Sequence, residues 1–237
     1  MALDFYTNVQ LIGNQFLVRG VRNGQRYEMR DEFFPTMFVK SKKNTKYRTL
    51  TGEVVEEVKP GTVRDCREFY KKYDDVDGFA IYGNDRYIYQ YISEKYPQDE
   101  IKFDISQIKL VTLDIETTSE YGFPDVESCQ EEILAITIQD YTTKEIITWG
   151  RRPFANKQKN VTYYHCPGEQ ELLGHFINYW RTDVPDVITG WNIQLFDIPY
   201  ICKRLNRVLG EKLMKRFSPW GLVSEDETFI MGRKHVV

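Results

Sequence analysis

The stretch "VTLDIETTSEYGFP", residues 111–124, decides how the chain is read. With Ile108, Lys109 and Leu110 before it, it forms an apolar run that stops at Asp114, meets a second acid at Glu116, and passes into hydroxyls and a Gly-Phe-Pro turn. A near-continuous apolar run predicts a strand covered on both faces. The two-residue period of a strand puts Asp114 and Glu116 on the same side of its end. Two like charges held there repel unless a cation lies between them, and hard divalent ions such as Mg²⁺ or Mn²⁺ prefer carboxylate oxygens. Asp-x-Glu is weak by itself, since average usage gives about one per chain of this length. A second one, Asp125-Val126-Glu127, comes after Pro124 and reads as solvated loop. Position at a strand end is what separates the two.

Downstream, "EILAITIQD" and "KEIITWG" predict two more strands, and a helix runs from about Glu169 to Arg181 with Leu172, Leu173, Phe176, Ile177 and Trp180 inward. "DVITG" reads as a short buried strand and "WNIQLFD" as a loop. A second helix spans Ile198 to Leu209, with Pro199 in its first turn and Gly210 as its stop. Strand, strand, strand, helix, strand, helix predicts a mixed sheet with helices packed on it, an α/β unit within an α+β chain. Such sheets bind ligands beyond the carboxyl ends of their parallel strands, which brings Asp114 and the "GWNIQLFD" loop to one place.

The spacing Asn192-x-x-x-Phe196-Asp197 arises by chance in only a few per cent of chains, roughly estimated from average usage. It supplies a third carboxylate. Two ions about 4 Å apart among such acids would activate a water and stabilise a leaving oxygen in phosphodiester cleavage. Asn192 can donate to a sugar or base, and Phe196 and Phe123 can pack on bases. The plainer readings are a helix N-cap for Asp197 and core packing for Phe196.

The first hundred residues read as short strands with turns. Asn23-Gly24 is a hairpin signal, "TGEVVEEVKPG" a short strand, Val63 to Tyr73 a helix, and "FAIYGNDRYIYQYI" strand or mixed. This gives a small β-rich unit, residues 1–104, ahead of the unit at 105–237. The chain has 237 residues, is 41% hydrophobic and 28% charged, and suits one large domain or two modest ones. No stretch approaches the roughly 18 apolar residues of a membrane span. The first residues show no signal core, so the chain reads as cytoplasmic. Four scattered cysteines and three histidines show no ligand spacing, which leaves metal chemistry to oxygen ligands. The net charge of -3 argues against a protein that coats nucleic acid over its whole surface. "KSKKNTKYR" (Lys40 to Arg48) and "CKRLNRVLGEKLMKR" (Cys202 to Arg216) are locally basic, which reads either as solvated faces or as phosphate contacts.

Taken together, "LDIETT" and "TGWNIQLFDIPY" resemble the first and second motifs of the DEDD-type 3′→5′ proofreading exonucleases of family B DNA polymerases, those of T-even-type bacteriophages above all. "EFFPTMFVK" and "ELLGHFINYW" extend the resemblance over nearly the whole chain. It implies an RNase H-like exonuclease domain beside a polymerase N-terminal domain. Asp114, Glu116 and Asp197 would be its catalytic and metal-site acids with two Mg²⁺ ions, and Thr117 would join Asn192, Phe196 and Phe123 at the nucleic acid. The family completes its site with a Tyr-x-x-x-Asp motif downstream of the second. Here that spacing occurs at Tyr27/Asp31, Tyr70/Asp74, Tyr73/Asp77, Tyr121/Asp125 and Tyr179/Asp183, all before it. The expectation is therefore an N-terminal portion of a longer or split polymerase, its exonuclease fold incomplete at the C-terminus and weak or inactive alone.

The implied partners are a DNA primer-template and its single-stranded 3′ end, the remainder of the polymerase in cis or as a second chain, and a sliding clamp reached through that remainder. The implied compartment is the host cytoplasm. A competing reading is a non-catalytic RNA- or single-stranded-DNA-binding module, and another is a docking half of a split polymerase. Replacing Lys42, Lys43 and Lys46 with Ala is expected to weaken oligonucleotide binding and to flatten its salt dependence by up to about 0.7 per lost phosphate contact on single strands. An unchanged slope would return the loop to a solvated face.

Overall fold

Asn23 and Gly24 take φ of 52° and 76°, and the turn they make joins two antiparallel strands. Left-handed backbone at both turn positions matches the twist of the flanking strands, which is why this dipeptide marks hairpins. The computed structural model describes residues 4–98 and 100–225, and the backbone of 227–230 and 233–236. The chain divides into two units at Gln107/Ile108, a few residues beyond Asp104.

In the first unit, β1 (Phe5–Ile12), β2 (Gln15–Arg22) and β3 (Gln25–Glu32) form an antiparallel sheet in chain order. A second sheet uses β4 (Met37–Lys40), β5 (Tyr47–Arg48), β6 (Val54–Val58) and, after the helix α1 (Val63–Tyr73), β7 (Ile81–Tyr82), in the order β5-β6-β4-β7. Thr62 and Asp65 cap α1 reciprocally, each side chain bonding the other's backbone N–H. The segment expected as strand or mixed is mixed: β7 takes Ile81–Tyr82, and "YIYQYI" belongs to a helix, α2 (Tyr87–Lys95). The spacing that decides it is Tyr87/Tyr91 and Ile88/Ile92, four apart, which places all of them on the core with Phe16, Val18 and Phe33. The Tyr91 ring stacks on Phe16 at 4.7 Å. Alternating aromatics in "YIYQYI" imitate a strand, and the fourfold spacing overrides them.

The second unit is built on a five-stranded mixed sheet. Its strands are β8 (Leu110–Thr117), β9 (Ile133–Asp140), β10 (Ile146–Gly150), β11 (Val161–His165) and β12 (Val187–Thr189), in the order β11-β10-β9-β8-β12. β9 runs antiparallel to both its neighbours, β8 and β10, while β11 runs parallel to β10 and β12 parallel to β8. Helices α3 (Glu169–Trp180) and α4 (Asp197–Leu209) supply the apolar cover. After them come α5 (Glu211–Met214) and a 3-10 turn whose Phe217 carbonyl accepts from the Trp180 indole at 2.9 Å. At the C-terminal end, β13 (Glu227–Ile230) pairs antiparallel with β14 (Arg233–Val236).

Three expectations are corrected here. β8 is not covered on both faces: Val111, Leu113 and Ile115 are buried, whereas Thr112, Asp114 and Glu116 are exposed. β12 is an edge strand with Val187 and Thr189 exposed, not a buried one. β11 is a strand beyond those expected, because its "VTYYH" carries only one aliphatic residue and is half-exposed along its length.

The core of this unit also contains an ion pair. Glu169, at the start of α3, accepts Ile133 N–H (2.8 Å) and Arg204 Nε–H (2.8 Å). Arg204 Nη1 reaches the Cys129 carbonyl at 3.0 Å. Arg204 thus lies on the buried face of α4, where periodicity predicts only apolar side chains. Removing one partner of such a pair leaves a buried charge without compensation. Arg204→Ala is expected to cost about 3–5 kcal/mol in urea unfolding, whereas exposed Arg207→Ala is expected to cost roughly 1 kcal/mol. Equal losses would show that the ion pair is not what ties α4 to α3.

Candidate active site

β12 pairs with β8 only as far as Thr189 opposite Thr112, so the edge of β8 beyond that point has no strand beside it. The chain leaves β12 through Gly190, whose added Cβ would stand 2.5 Å from the Leu113 carbonyl oxygen. Only glycine lets the backbone pass that close. Asn192 then takes φ 54°, and its carbonyl accepts from Leu195 N–H and Phe196 N–H, both at 3.0 Å. Asn is among the few side chains that tolerate this left-handed backbone, so the loop has its own use for it. The side chain of Asn192 is exposed.

That loop delivers Asp197 to the open edge of β8. Asp197 is only 4% exposed, and its Oδ1 accepts the Ile115 N–H at 3.1 Å. It is the first residue of α4 and not the cap; Phe196 holds the cap position and makes no side-chain cap bond. Burial pushes the Asp197 carboxyl above its ordinary pKa, the two backbone N–H bonds work against that, and the nearby Asp114 charge adds to the rise. Three predicted acids are therefore gathered at one stretch of β8: Asp114 and Glu116 on its exposed face, and Asp197 against the amide between them. Immediately after Glu116 the β8–β9 register shifts, with Glu116 opposite Ala135 and Thr117 opposite Ile133. The extra residue is Leu134 of β9, so it is β9 that bends there while β8 loses its regular pairing just past the acids.

The other predicted residues separate by environment. Phe123 is 91% exposed on the arm after β8, and Thr117 is half-buried at the strand end. Phe196 packs against the apolar core with its ring 5.2 Å from Tyr200, which is the plainer of its two readings. Asp125, the decoy acid, accepts Ser128 N–H at 2.7 Å and stabilises its own turn. Lys42, Lys43 and Lys46 belong to the first unit; all are exposed, with Lys46 Nζ 5.0 Å from the centre of the Tyr47 ring. Sequence reasoning passes over Gly190 and Trp191. Trp191 is 93% exposed beside Asn192, and the signal for it is a tryptophan with no apolar neighbour on its N-terminal side.

The donor set is all oxygen, which suits a hard divalent cation. Among the described residues, no three His, Cys, Asp or Glu side chains converge closely enough to hold an ion.

Residues 83–235 match the family model for the exonuclease domain of DNA polymerase family B. The chain belongs to DNA polymerase family B. It is 30% identical to the DNA-directed DNA polymerase of Enterobacteria phage T4 over 93% of its length, and 28% identical to that of Escherichia phage RB69 over 91%. A DNA polymerase of Archaeoglobus fulgidus is 24% identical over 72% of the chain. The chain spans about a quarter of the phage relatives it matches, 27% of each. Among the described residues, no helix is long and apolar enough to cross a membrane.

Gly190→Ala is expected to cost roughly 1–3 kcal/mol, because the new methyl meets backbone and not a yielding side chain. It should also speed hydrogen exchange at the Ile115 amide by lifting Asp197 from the β8 edge. Unchanged protection of that amide would show that the loop and the edge are independent.

Proposed function

We propose that this chain is the proofreading portion of a replicative DNA polymerase, an RNase H-like exonuclease domain that excises the terminal nucleotide of a frayed primer 3′ end. The observation that carries this reading is the Asp197 carboxylate on the Ile115 amide, between Asp114 and Glu116, in a chain of this family. In a complete exonuclease site, Asp114, Glu116 and Asp197 would be among the ligands of two Mg²⁺ ions, or Mn²⁺ in their place; the described residues alone bring no three such side chains together. Bound there, the ions would acidify a water and stabilise the leaving oxygen.

The chain's own residues have separate tasks. Asp197 is fixed by the strand edge, so its carboxylate is oriented before any ligand arrives. Asp114 and Glu116 stand on an exposed face that a phosphodiester can reach. Phe123 and Trp191 offer exposed rings on which the bases of an unpaired end can stack. The half-exposed Phe196 ring supports Tyr200 more than it offers a stacking surface. Asn192 presents a polar side chain from the turn that places Asp197, within the same loop as Trp191. Thr117 adds a hydroxyl-bearing residue where β8 ends.

The partners under this reading are a DNA primer-template and the rest of a polymerase, in cis or as a second chain, with a sliding clamp engaged through that rest, all in the host cytoplasm. A second reading, RNA or single-stranded DNA binding by the first unit, is favoured by one observation. Among the described residues no ion pair joins Lys42, Lys43 or Lys46, so their charge is available to phosphates.

In a complete polymerase, Asp114→Ala or Asp197→Ala is expected to slow excision of a single-stranded primer end by a factor on the order of 10³ while polymerisation persists, since such charge stabilisation is worth several kcal/mol. Asp125→Ala should leave excision nearly unchanged. Near-normal excision by either of the first two variants, or a matching loss in the third, would refute the assignment.

A further inference from the structure

The arm between β8 and β9 is tethered at its C-terminal end to α4, the helix that begins with Asp197, and its N-terminal end is tied back to that C-terminal end. At its C-terminal end, Arg204 Nη1 and Arg207 Nη2 donate to the carbonyls of Cys129 and Ser128. At its N-terminal end, one carboxylate makes the tether. Glu131 is 4% exposed, and its two oxygens take separate donors, the Thr118 hydroxyl and the Tyr121 N–H at 2.6 Å. Its own carbonyl accepts the Tyr200 hydroxyl at 2.8 Å, and Tyr200 lies one helical turn after Asp197 and is fully buried. The backbone of Thr118 and Glu132 closes the same loop, Thr118 N–H to the Glu132 carbonyl at 2.9 Å and Glu132 N–H to the Thr118 hydroxyl at 3.0 Å.

A buried carboxylate is expensive to keep and is retained where its hydrogen bonds are satisfied. Here it holds functional ground. The pinned segment, residues 118–121, starts directly after the strand that carries Asp114 and Glu116 and leads straight into Gly122 and the exposed Phe123. Gly122 has φ 111°, a backbone that side chains rarely adopt, so the arm turns sharply just beyond the last tether. Without the tether, nothing among these contacts fixes Tyr121 or Phe123 relative to β8.

We propose that Glu131 is a positioning residue for the single-stranded 3′ end: it fixes the arm that presents Tyr121 and Phe123 and couples that arm, through Tyr200, to the helix bearing Asp197. It touches no substrate itself. The inference rests on the proofreading reading above, because the ligand that the arm would receive is an unpaired strand. Both donors to Glu131 need an acceptor. Glutamine can still accept the Tyr121 N–H with its oxygen and donate its NH₂ to the Thr118 hydroxyl, but neither bond is then charge-assisted, so Glu131→Gln should loosen the arm without removing bulk.

The test is fluorescence anisotropy of a short single-stranded DNA oligonucleotide on this chain, for Glu131→Gln, Glu131→Ala, Phe123→Ala and the Glu131→Ala/Phe123→Ala pair, with amide exchange at Tyr121 read in parallel. Glu131→Ala should weaken binding about as much as Phe123→Ala, on the order of tenfold, and the double variant should be no worse than either, because a residue acting through another is not additive with it. Glu131→Gln should fall between, with faster exchange at the Tyr121 amide. Binding unaltered by Glu131→Gln, or losses that add in the double variant, would overturn the inference while leaving the proofreading reading intact. A wild-type chain that does not bind the oligonucleotide, joined to normal excision by Asp114→Ala in a complete polymerase, would remove both. Should Glu131→Ala fail to fold, the comparison of Glu131→Gln with Phe123→Ala still decides.

Discussion

One hydrogen bond organises the second unit: the Asp197 carboxylate on the Ile115 amide. A strand edge buried without a partner is costly, and β12 covers β8 only to Thr112. Asp197 supplies the acceptor that a longer β12 would have supplied. Because the acceptor is a charged side chain, the solution to a backbone problem also sets a carboxylate beside Asp114. The loop that delivers it depends in turn on Gly190 passing the Leu113 carbonyl and on Asn192 accepting a left-handed turn.

Around that bond lies a second layer of buried polar contacts. Glu169 and Arg204 join α3, α4 and the start of β9, and Arg204 and Glu131 join α4 to the arm after β8. Each of these groups is charged, buried and multiply hydrogen-bonded, the arrangement that low-dielectric surroundings demand. The helix α4 thereby touches the strand edge, the neighbouring helix and the arm through polar atoms, while Ile201 and Leu205 carry its apolar packing.

The elements legible in the sequence are those whose signals are local. α3 and α4 show in apolar periodicity with Gly210 terminating the second, and the Asn23-Gly24 hairpin shows in turn chemistry, whereas the Thr62 cap of α1 shows only in the structure. The three acids are legible because Asp114 ends a run of apolar residues and Asp197 opens a helix. The illegible features depend on pairing between distant segments. β11 has too few aliphatic residues to announce itself, and β8 reads as buried on both faces because Lys109 and Thr112 are the only interruptions before Asp114. Arg204 and Glu131 are unreadable for a related reason. A charged residue at a buried position shows no periodic signature, and only the partner 35 residues away in Glu169, or the Tyr200 hydroxyl, makes sense of it.

Strand edges have a further property. An exposed row of backbone donors and acceptors is a template onto which another chain can add, and proteins guard such rows with charge, bulges or cover. The stretch of β8 past Thr112 has all three: the Asp197 carboxylate, the register shift at Glu116/Thr117 and the Gly190 backbone. β12 itself, three residues long, offers little for a second chain to extend. The Asp197 carboxylate that occupies this edge therefore also blocks it to strand addition by a second chain. Replacing Asp197 would thus uncover a backbone donor at Ile115 as well as remove a charge.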